Sequence, residues 1–126
     1  MRIVIADDST LIRDRLQDVL RSFGKVEVVG AFNNGIDVLK ALLTLKPDLA
    51  IVDIKMPGLS GLEVLKETRK ENKTLQFIIL TLHGTEYYRQ QAIDAGANYF
   101  FSKVDDFGKV ELVINDMLNL SINQTI

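Results

Sequence analysis

Two kinds of apolar pattern alternate along this chain. Short continuous runs occur at Arg2-Ile3-Val4-Ile5-Ala6, Val26-Glu27-Val28-Val29-Gly30-Ala31, Leu49-Ala50-Ile51-Val52, Gln76-Phe77-Ile78-Ile79-Leu80-Thr81 and Asn98-Tyr99-Phe100-Phe101. Runs of this length, rich in β-branched and aromatic residues, predict strands covered on both faces. Between them the spacing becomes helical: Ile12, Leu16, Val19, Leu20 and Phe23, then Ile36, Leu39 and Leu43, then Leu62 and Leu65. Tyr88, Ala92 and Ala95 predict the inner face of a fourth helix, and Phe107, Val110, Ile114 and Met117 that of a fifth.

Local signals mark where these elements begin and end. Ser9 offers a hydroxyl to cap the first helix, and Gly24 is placed to stop it. Asn33-Asn34-Gly35 reads as a turn, and the second helix must end before Pro47. Gly96 is placed to stop the fourth helix, and Lys66, Glu67, Arg69, Lys70 and Glu71 read as the solvated side of the third. From about Asn119 the chain turns polar, so a domain over residues 1–120 is expected to be followed by a polar tail over residues 121–126.

Strand and helix thus alternate through the whole chain. Each parallel pair needs a crossover, and crossovers are right-handed, so the pattern predicts an α/β fold: a (βα)5 doubly wound, five-stranded parallel sheet with helices on both faces. The carboxyl ends of the strands then share one edge, where open parallel sheets bind ligands. That edge would collect Asp7, Asp8, Asp53, Thr81 and Lys103. Asp53 follows the apolar run Leu49-Ala50-Ile51-Val52 directly, and behind it Pro57, Gly58 and Gly61 force a loop.

Composition narrows the function classes. The 126 residues fit one domain, and 47% apolar with 25% charged content suits a globular one. A net charge of −2 argues against direct binding of nucleic acid through phosphate neutralisation. There is no cysteine, which removes disulfides and thiolate metal sites. Neither a basic segment leading into an apolar stretch nor a long apolar run is present, so no membrane association and a cytoplasmic location are expected.

Three carboxylates on one edge have an electrostatic consequence. At about 5 Å and an effective dielectric near 20, each pair repels by roughly 3 kcal/mol. Such a cluster either keeps a proton or recruits a cation, and an all-oxygen donor set suits a hard ion such as Mg²⁺, which readily shares a phosphoryl oxygen. Lys103 adds a positive charge and Thr81 a hydroxyl donor. The set fits a phosphoryl group attached to, or held beside, one of the acids.

These residues carry a resemblance. The acidic pair Asp7-Asp8 after the first strand, Asp53 in Val52-Asp53-Ile54-Lys55-Met56-Pro57-Gly58 with Gly61 beyond, Thr81 at the end of the fourth strand, and Lys103 after Gly96-Ala97-Asn98-Tyr99-Phe100-Phe101-Ser102 are similar to a two-component response-regulator receiver domain. The match covers residues 1 to about 120. It implies the flavodoxin-like strand order 2-1-3-4-5. It further implies that Asp53 accepts a phosphoryl group from a sensor histidine kinase or a histidine phosphotransfer protein. Mg²⁺ would be held by Asp8, Asp53 and the backbone carbonyl of Lys55, with Asp7 holding metal-bound water. Lys103 would pair with a phosphoryl oxygen. Thr81 would swing to another, and Phe100 would fill the vacated space as the aromatic of the switch. The implied output face is helix four, strand five and helix five, which would serve a downstream protein target, a fused effector or a homodimer.

The sequence departs from the family pattern at several positions. Val104 stands where many receivers have proline, so the entry to the fifth helix is expected to be more mobile. Leu82 replaces a commonly small residue after the threonine and is expected to narrow access to the phosphoryl group. Phe100 in place of tyrosine leaves the switch to packing alone, and Lys55 and His83 sit where receivers tune the attacking water. A phosphatase of the haloacid-dehalogenase type also uses a strand-end aspartate, but the second acid it needs is replaced by Ser9. A flavodoxin-like cofactor binder lacks its phosphate-cradling loop, since Asp7-Asp8 would repel an unbridged phosphate. A receiver-like module that signals without phosphate is disfavoured by the intact set of five. No output segment follows the fifth helix before Ile126, so the chain is expected to be either a stand-alone regulator or a receiver excised from a longer one.

Overall fold

The computed structural model describes residues 1–124. Five strands, β1 (Arg2–Ala6), β2 (Glu27–Phe32), β3 (Leu49–Val52), β4 (Gln76–Thr81) and β5 (Tyr99–Ser102), alternate with five helices, α1 (Thr10–Arg21), α2 (Gly35–Leu45), α3 (Gly61–Glu71), α4 (Glu86–Asp94) and α5 (Lys109–Gln124). All strand pairs are parallel and the order is β2-β1-β3-β4-β5, as the resemblance implied.

The period-two geometry of a strand divides the core in two. Val4, Ala6, Ala50, Val52, Phe77, Ile79 and Phe100 face α2, α3 and α4. Ile3, Ile5, Leu49, Ile51, Ile78, Leu80, Tyr99 and Phe101 face α1 and α5. The apolar runs look continuous because both sides of the sheet are covered.

Helix starts follow the capping residues. Ser9, Asn34, Ser60 and Thr85 each accept a backbone N–H of the first turn, and Ser60 forms a reciprocal capping box with Glu63. Gly96 terminates α4 with φ +104, a conformation glycine adopts without steric cost.

Several expectations need correction. The inner face of α2 is Val38, Ala41 and Leu42, not Ile36 and Leu43, which face solvent. Leu39 packs against the core only in part. Asp37, Lys40 and Thr44 share the solvent side of the helix, and Val38 and Leu42 lie opposite them on the buried side with Gly35. An added Cβ there would lie 2.0 Å from the Leu59 carbonyl oxygen, so the helix start presses against the β3–α3 loop. α1 ends at Arg21 rather than at Gly24, because the Ser22 hydroxyl and N–H both donate to the Val19 carbonyl and close the last turn. Gly24 is not among the glycines with positive φ.

Arg69 does not belong to a solvated face. It is half-buried and donates to the carbonyls of Gly96 and Asn72 and to the Asn98 side chain, tying α3 to the loop before β5. The fifth helix runs on through Gln124, past the expected onset of a polar tail at Asn119. Residues 125–126 of that tail lie outside the described residues.

Replacing Leu42, 1% exposed, by Ala should cost about 2–5 kcal/mol of unfolding free energy, whereas Leu43→Ala, at 39% exposure, should cost no more than about 1 kcal/mol. Urea denaturation of the two variants checks this assignment of the α2 face.

Candidate functional site

Parallel register brings the strand ends to one edge of the sheet. Ladder bonding continues one residue beyond three of the strands: Asp7 donates its N–H to Phe32, Asp53 to Ala6 and Lys103 to Thr81. The backbones of these three residues are therefore positioned by the sheet.

Their side chains converge. Lys103 Nζ lies 2.5 Å from Asp7 Oδ2 and 2.9 Å from Asp53 Oδ2. All three residues are buried, at 2%, 5% and 6% exposure for Asp7, Asp53 and Lys103. The remaining Asp53 oxygen, Oδ1, accepts the Ile54 N–H at 2.7 Å, and Asp7 Oδ1 accepts that of Ser9 at 2.9 Å. Asp8 stands at the exposed rim, and one carboxylate oxygen from each of Asp7, Asp8 and Asp53 falls within 4.8 Å of the others.

Three carboxylates against one ammonium leave a net charge of −2 at this edge. One divalent cation would neutralise it, and hard oxygen donors match Mg²⁺. Among the described residues no backbone amide donates to the Lys55 carbonyl, the further ligand that the resemblance implies. The donor set therefore fits the group the resemblance implied.

Burial and partners act together on the titrating groups. Burial raises the Asp7 carboxyl above its ordinary 3.8, against the Lys103 and Ser9 hydrogen bonds, and the Asp53 charge adds to the rise. For Lys103 burial works downward, but the hydrogen bonds to Asp7 and Asp53 outweigh it and the ammonium is held above its ordinary 10.5.

The loop after β3 sets the Asp53 backbone. Gly58 turns it with φ +82, and the Gly61 N–H donates to the Ile54 carbonyl at 2.7 Å. A Cβ on Gly61 would lie 2.0 Å from the Asp53 carbonyl oxygen, so α3 can start this close to the acid only on a glycine.

Thr81 and Phe100 lie on neighbouring strands, offset by two residues in register. Thr81 is fully buried, and its hydroxyl accepts the His83 N–H at 3.1 Å. The Phe100 ring is buried toward α4, with the Arg89 guanidinium 5.0 Å from its centroid. Leu82 is 64% exposed and His83 is exposed too, so both stand at the surface beside the threonine. An open groove of about 600 Å³ runs from Asp8 past Lys55 and Met56 to Leu62 and Tyr88. The Lys55 ammonium lies 6.0 Å from the Tyr88 ring centroid.

Two supporting groups escaped the sequence reading. Arg13 Nη1 donates to the Asp7 carbonyl at 2.7 Å, and its place six residues after Asp7 on an amphipathic helix gave no hint of this. Asp106 accepts the Ser102 N–H at 3.0 Å, next to Lys103. Among the described residues there are no cis peptide bonds, so Val104 follows Lys103 through a trans bond at 75% exposure.

Linkage gives Asp7 and Asp106 opposite signs. The Asp7 pKa is raised on folding, so the stability linked to its proton is fully present below 3.8 and lost as pH rises through the raised value. Donation from the Ser102 N–H, and then from Lys109, holds Asp106 below 3.8, so its contribution is present above 3.8 and lost as pH falls through the lowered value. A ¹³C titration of the side-chain carboxyls in chelator should find Asp7 above 3.8 and Asp106 below it. Gly61→Ala should lower the unfolding free energy by about 2 kcal/mol or more, read by urea denaturation, because the new Cβ displaces the Asp53 backbone. Asp8→Asn should raise it by roughly 0.5–1 kcal/mol in chelator, by relieving repulsion at the rim.

Comparison with known proteins agrees with this geometry. Residues 3–115 match the family model described as the response regulator receiver domain. The chain is 33% identical over 123 residues to a protein-glutamate methylesterase/protein-glutamine glutaminase of Carboxydothermus hydrogenoformans, covering 96% of this chain and 36% of that protein. It is 36% identical over 109 residues to the transcriptional regulatory protein YvfU of Bacillus subtilis, covering 84% and 54% of the two. It thus spans about one third to one half of these relatives. Among solved structures, the response regulator domain of Thermotoga maritima CheB superposes with a TM-score of 0.82 at 28% identity, covering 98% of this chain and 96% of that one. A LuxR-family DNA-binding response regulator of Staphylococcus aureus gives 0.84 at 29% identity, covering 91% and 96%. With an acid cluster and a buried lysine at the carboxyl edge of a 2-1-3-4-5 sheet, the chain belongs to the receiver domains of two-component response regulators.

Proposed function

We propose that this receiver takes a phosphoryl group onto Asp53 from a phosphohistidine of a sensor histidine kinase or a histidine phosphotransfer protein. The observation that carries the reading is the Lys103 ammonium shared between Asp7 and Asp53 beside the rim acid Asp8. An Asp53 oxygen forms the new bond to phosphorus, the bond from phosphorus to the histidine nitrogen breaks, and the imidazole leaves with that electron pair. Phosphoryl transfer asks for positioning and charge neutralisation more than covalent help.

The residues of the chain divide that work. Lys103 gives up its contact with Asp53 Oδ2 for a phosphoryl oxygen while keeping Asp7, so the ammonium stays paired throughout. Thr81 turns its hydroxyl from the His83 N–H to a second phosphoryl oxygen, and Phe100 takes up the space the threonine leaves. Asp8, Asp53 and the Lys55 carbonyl would hold Mg²⁺, with Asp7 orienting a water of its shell. When bound, the ion supplies the positive charge that offsets the approaching phosphoryl group.

The groove beside Asp8 leaves room for the donor, and Leu82, exposed directly after Thr81, restricts approach from that side. Output follows from the coupling of Thr81 and Phe100 to the face made by α4, β5 and α5, which would engage a downstream protein, a fused effector domain or a second copy of the chain. The module is thus a phosphoacceptor that assists its own phosphorylation and dephosphorylation rather than an enzyme acting on a separate substrate. Among the described residues no helix is long and apolar enough to cross a membrane. A cytoplasmic location beside the kinase is part of the proposal.

Intact mass after incubation with Mg²⁺ and acetyl phosphate tests the reading. The expected result is a gain of one phosphoryl group that requires Mg²⁺ and is absent in Asp53→Asn. Labelling of that variant would move the acceptor elsewhere, and no labelling of the wild type would overturn the assignment.

A further inference from the structure

The loop that presents Lys103 is held by side chains. Ser102 is the last residue of β5, an edge strand whose N–H groups pair with β4 only at alternate positions. Lys103 uses its N–H toward β4, on the Thr81 carbonyl. The Ser102 N–H points the other way, and Asp106 Oδ2 accepts it at 3.0 Å. Asp106 in turn donates its own N–H to the Ser102 carbonyl at 2.9 Å, closing a ring around Lys103. Inside that ring the Ser102 hydroxyl accepts the N–H groups of Val104 at 3.2 Å and Asp105 at 3.3 Å.

We propose that Asp106 is a positioning residue for Lys103: by clamping Ser102 it fixes the backbone on either side of the lysine, so that the ammonium reaches Asp53. The inference rests on the phosphoacceptor reading and deepens it. Val104 is free to rotate about φ where a proline is not, and the clamp restores by hydrogen bonds the restriction that a ring would supply. A long flexible lysine makes a good phosphoryl ligand only if its base is fixed, since a displacement of about 1 Å at such a site costs up to about a hundredfold in rate. Lys109 Nζ lies 2.9 Å from Asp106 Oδ1 and holds the carboxylate from the other side, at the first residue of α5. Asp106 hydrogen-bonds to neither the acids nor Thr81, and it reaches the site through the loop that carries the lysine.

The test compares Asp106→Ala with Asp106→Asn, whose side-chain oxygen can still accept the Ser102 N–H. In the wild type without phosphodonor, the Lys103 ammonium should give a ¹H–¹⁵N signal protected from exchange by its two carboxylates. In Asp106→Ala that signal should broaden or vanish and phosphorylation by acetyl phosphate should slow by about tenfold or more. Mg²⁺ affinity, which depends on Asp8 and Asp53, should hold. Asp106→Asn should restore the signal and most of the rate. A wild-type signal and rate in Asp106→Ala would overturn the proposal, as would failure of Asp106→Asn to recover either in a folded protein. The ammonium signal is read without phosphodonor, so a wild type that takes no phosphoryl group would count against the acceptor reading alone.

Discussion

The ammonium of Lys103 makes it possible for two buried carboxylates to face each other at the end of the sheet. Asp7 and Asp53 are almost completely out of water, and both give an oxygen to the same Nζ. At a separation near 5 Å their repulsion is roughly 3 kcal/mol for an effective dielectric of about 20. The lysine offsets that repulsion in the absence of any other cation. Its two attractions also outweigh its own burial, which is why its pKa stands above the ordinary value while Asp7 still carries a raised one. The neutralisation is incomplete, and the charge left at the rim favours a dication or the approach of a group that carries one.

Much of the remaining structure keeps that triangle in place. Asp7, Asp53 and Lys103 are each hydrogen-bonded to a neighbouring strand through the backbone N–H, so sheet register sets their separation. Behind Asp53, Gly61 admits the start of α3 at a distance no other residue allows. Behind Asp7, Arg13 reaches back to its carbonyl. The loop after Lys103 has no such support from the sheet, and there Ser102 and Asp106 supply it. Crowding like charges is a strain on the fold, and it is sustained by a core that covers the sheet on both faces.

Thr81 and Phe100, the proposed switch residues, are placed differently from the acids. Thr81 and Phe100 are buried yet have contacts that can be exchanged: the threonine hydroxyl holds a loop N–H, and the phenylalanine ring has only packing and the Arg89 guanidinium above it. Without a phenolic hydroxyl, the ring has no polar group that must find a partner. The relatives with which this domain shares its fold carry it as part of longer chains, a methylesterase in one case and a transcriptional regulator in another.

The parallel sheet, the two-sided core and the edge on which the acids gather were legible in the sequence, because continuous apolar runs alternating with helical ones have few compact solutions and right-handed crossovers leave fewer still, whereas the strand order came only with the family resemblance. The gathering of Asp7, Asp8, Asp53, Thr81 and Lys103 follows from topology and needs no side-chain detail. The face that α2 buries did not follow from Ile36, Leu39 and Leu43 alone: Asp37, Lys40 and Thr44 mark the solvent side, and Val38 and Leu42 lie opposite them. Arg69 read as a surface charge since nothing local distinguishes it from Lys70; its partners Gly96 and Asn98 lie far along the chain and meet it only after β4 and β5 pair. The same holds at the site. Sequence by itself determined which residue types reach the edge, through strand period and crossover hand. Tertiary structure alone decided that Lys103 is shared between Asp7 and Asp53, and that Asp106 holds the loop it comes from, because those distances depend on how loops close over a finished sheet.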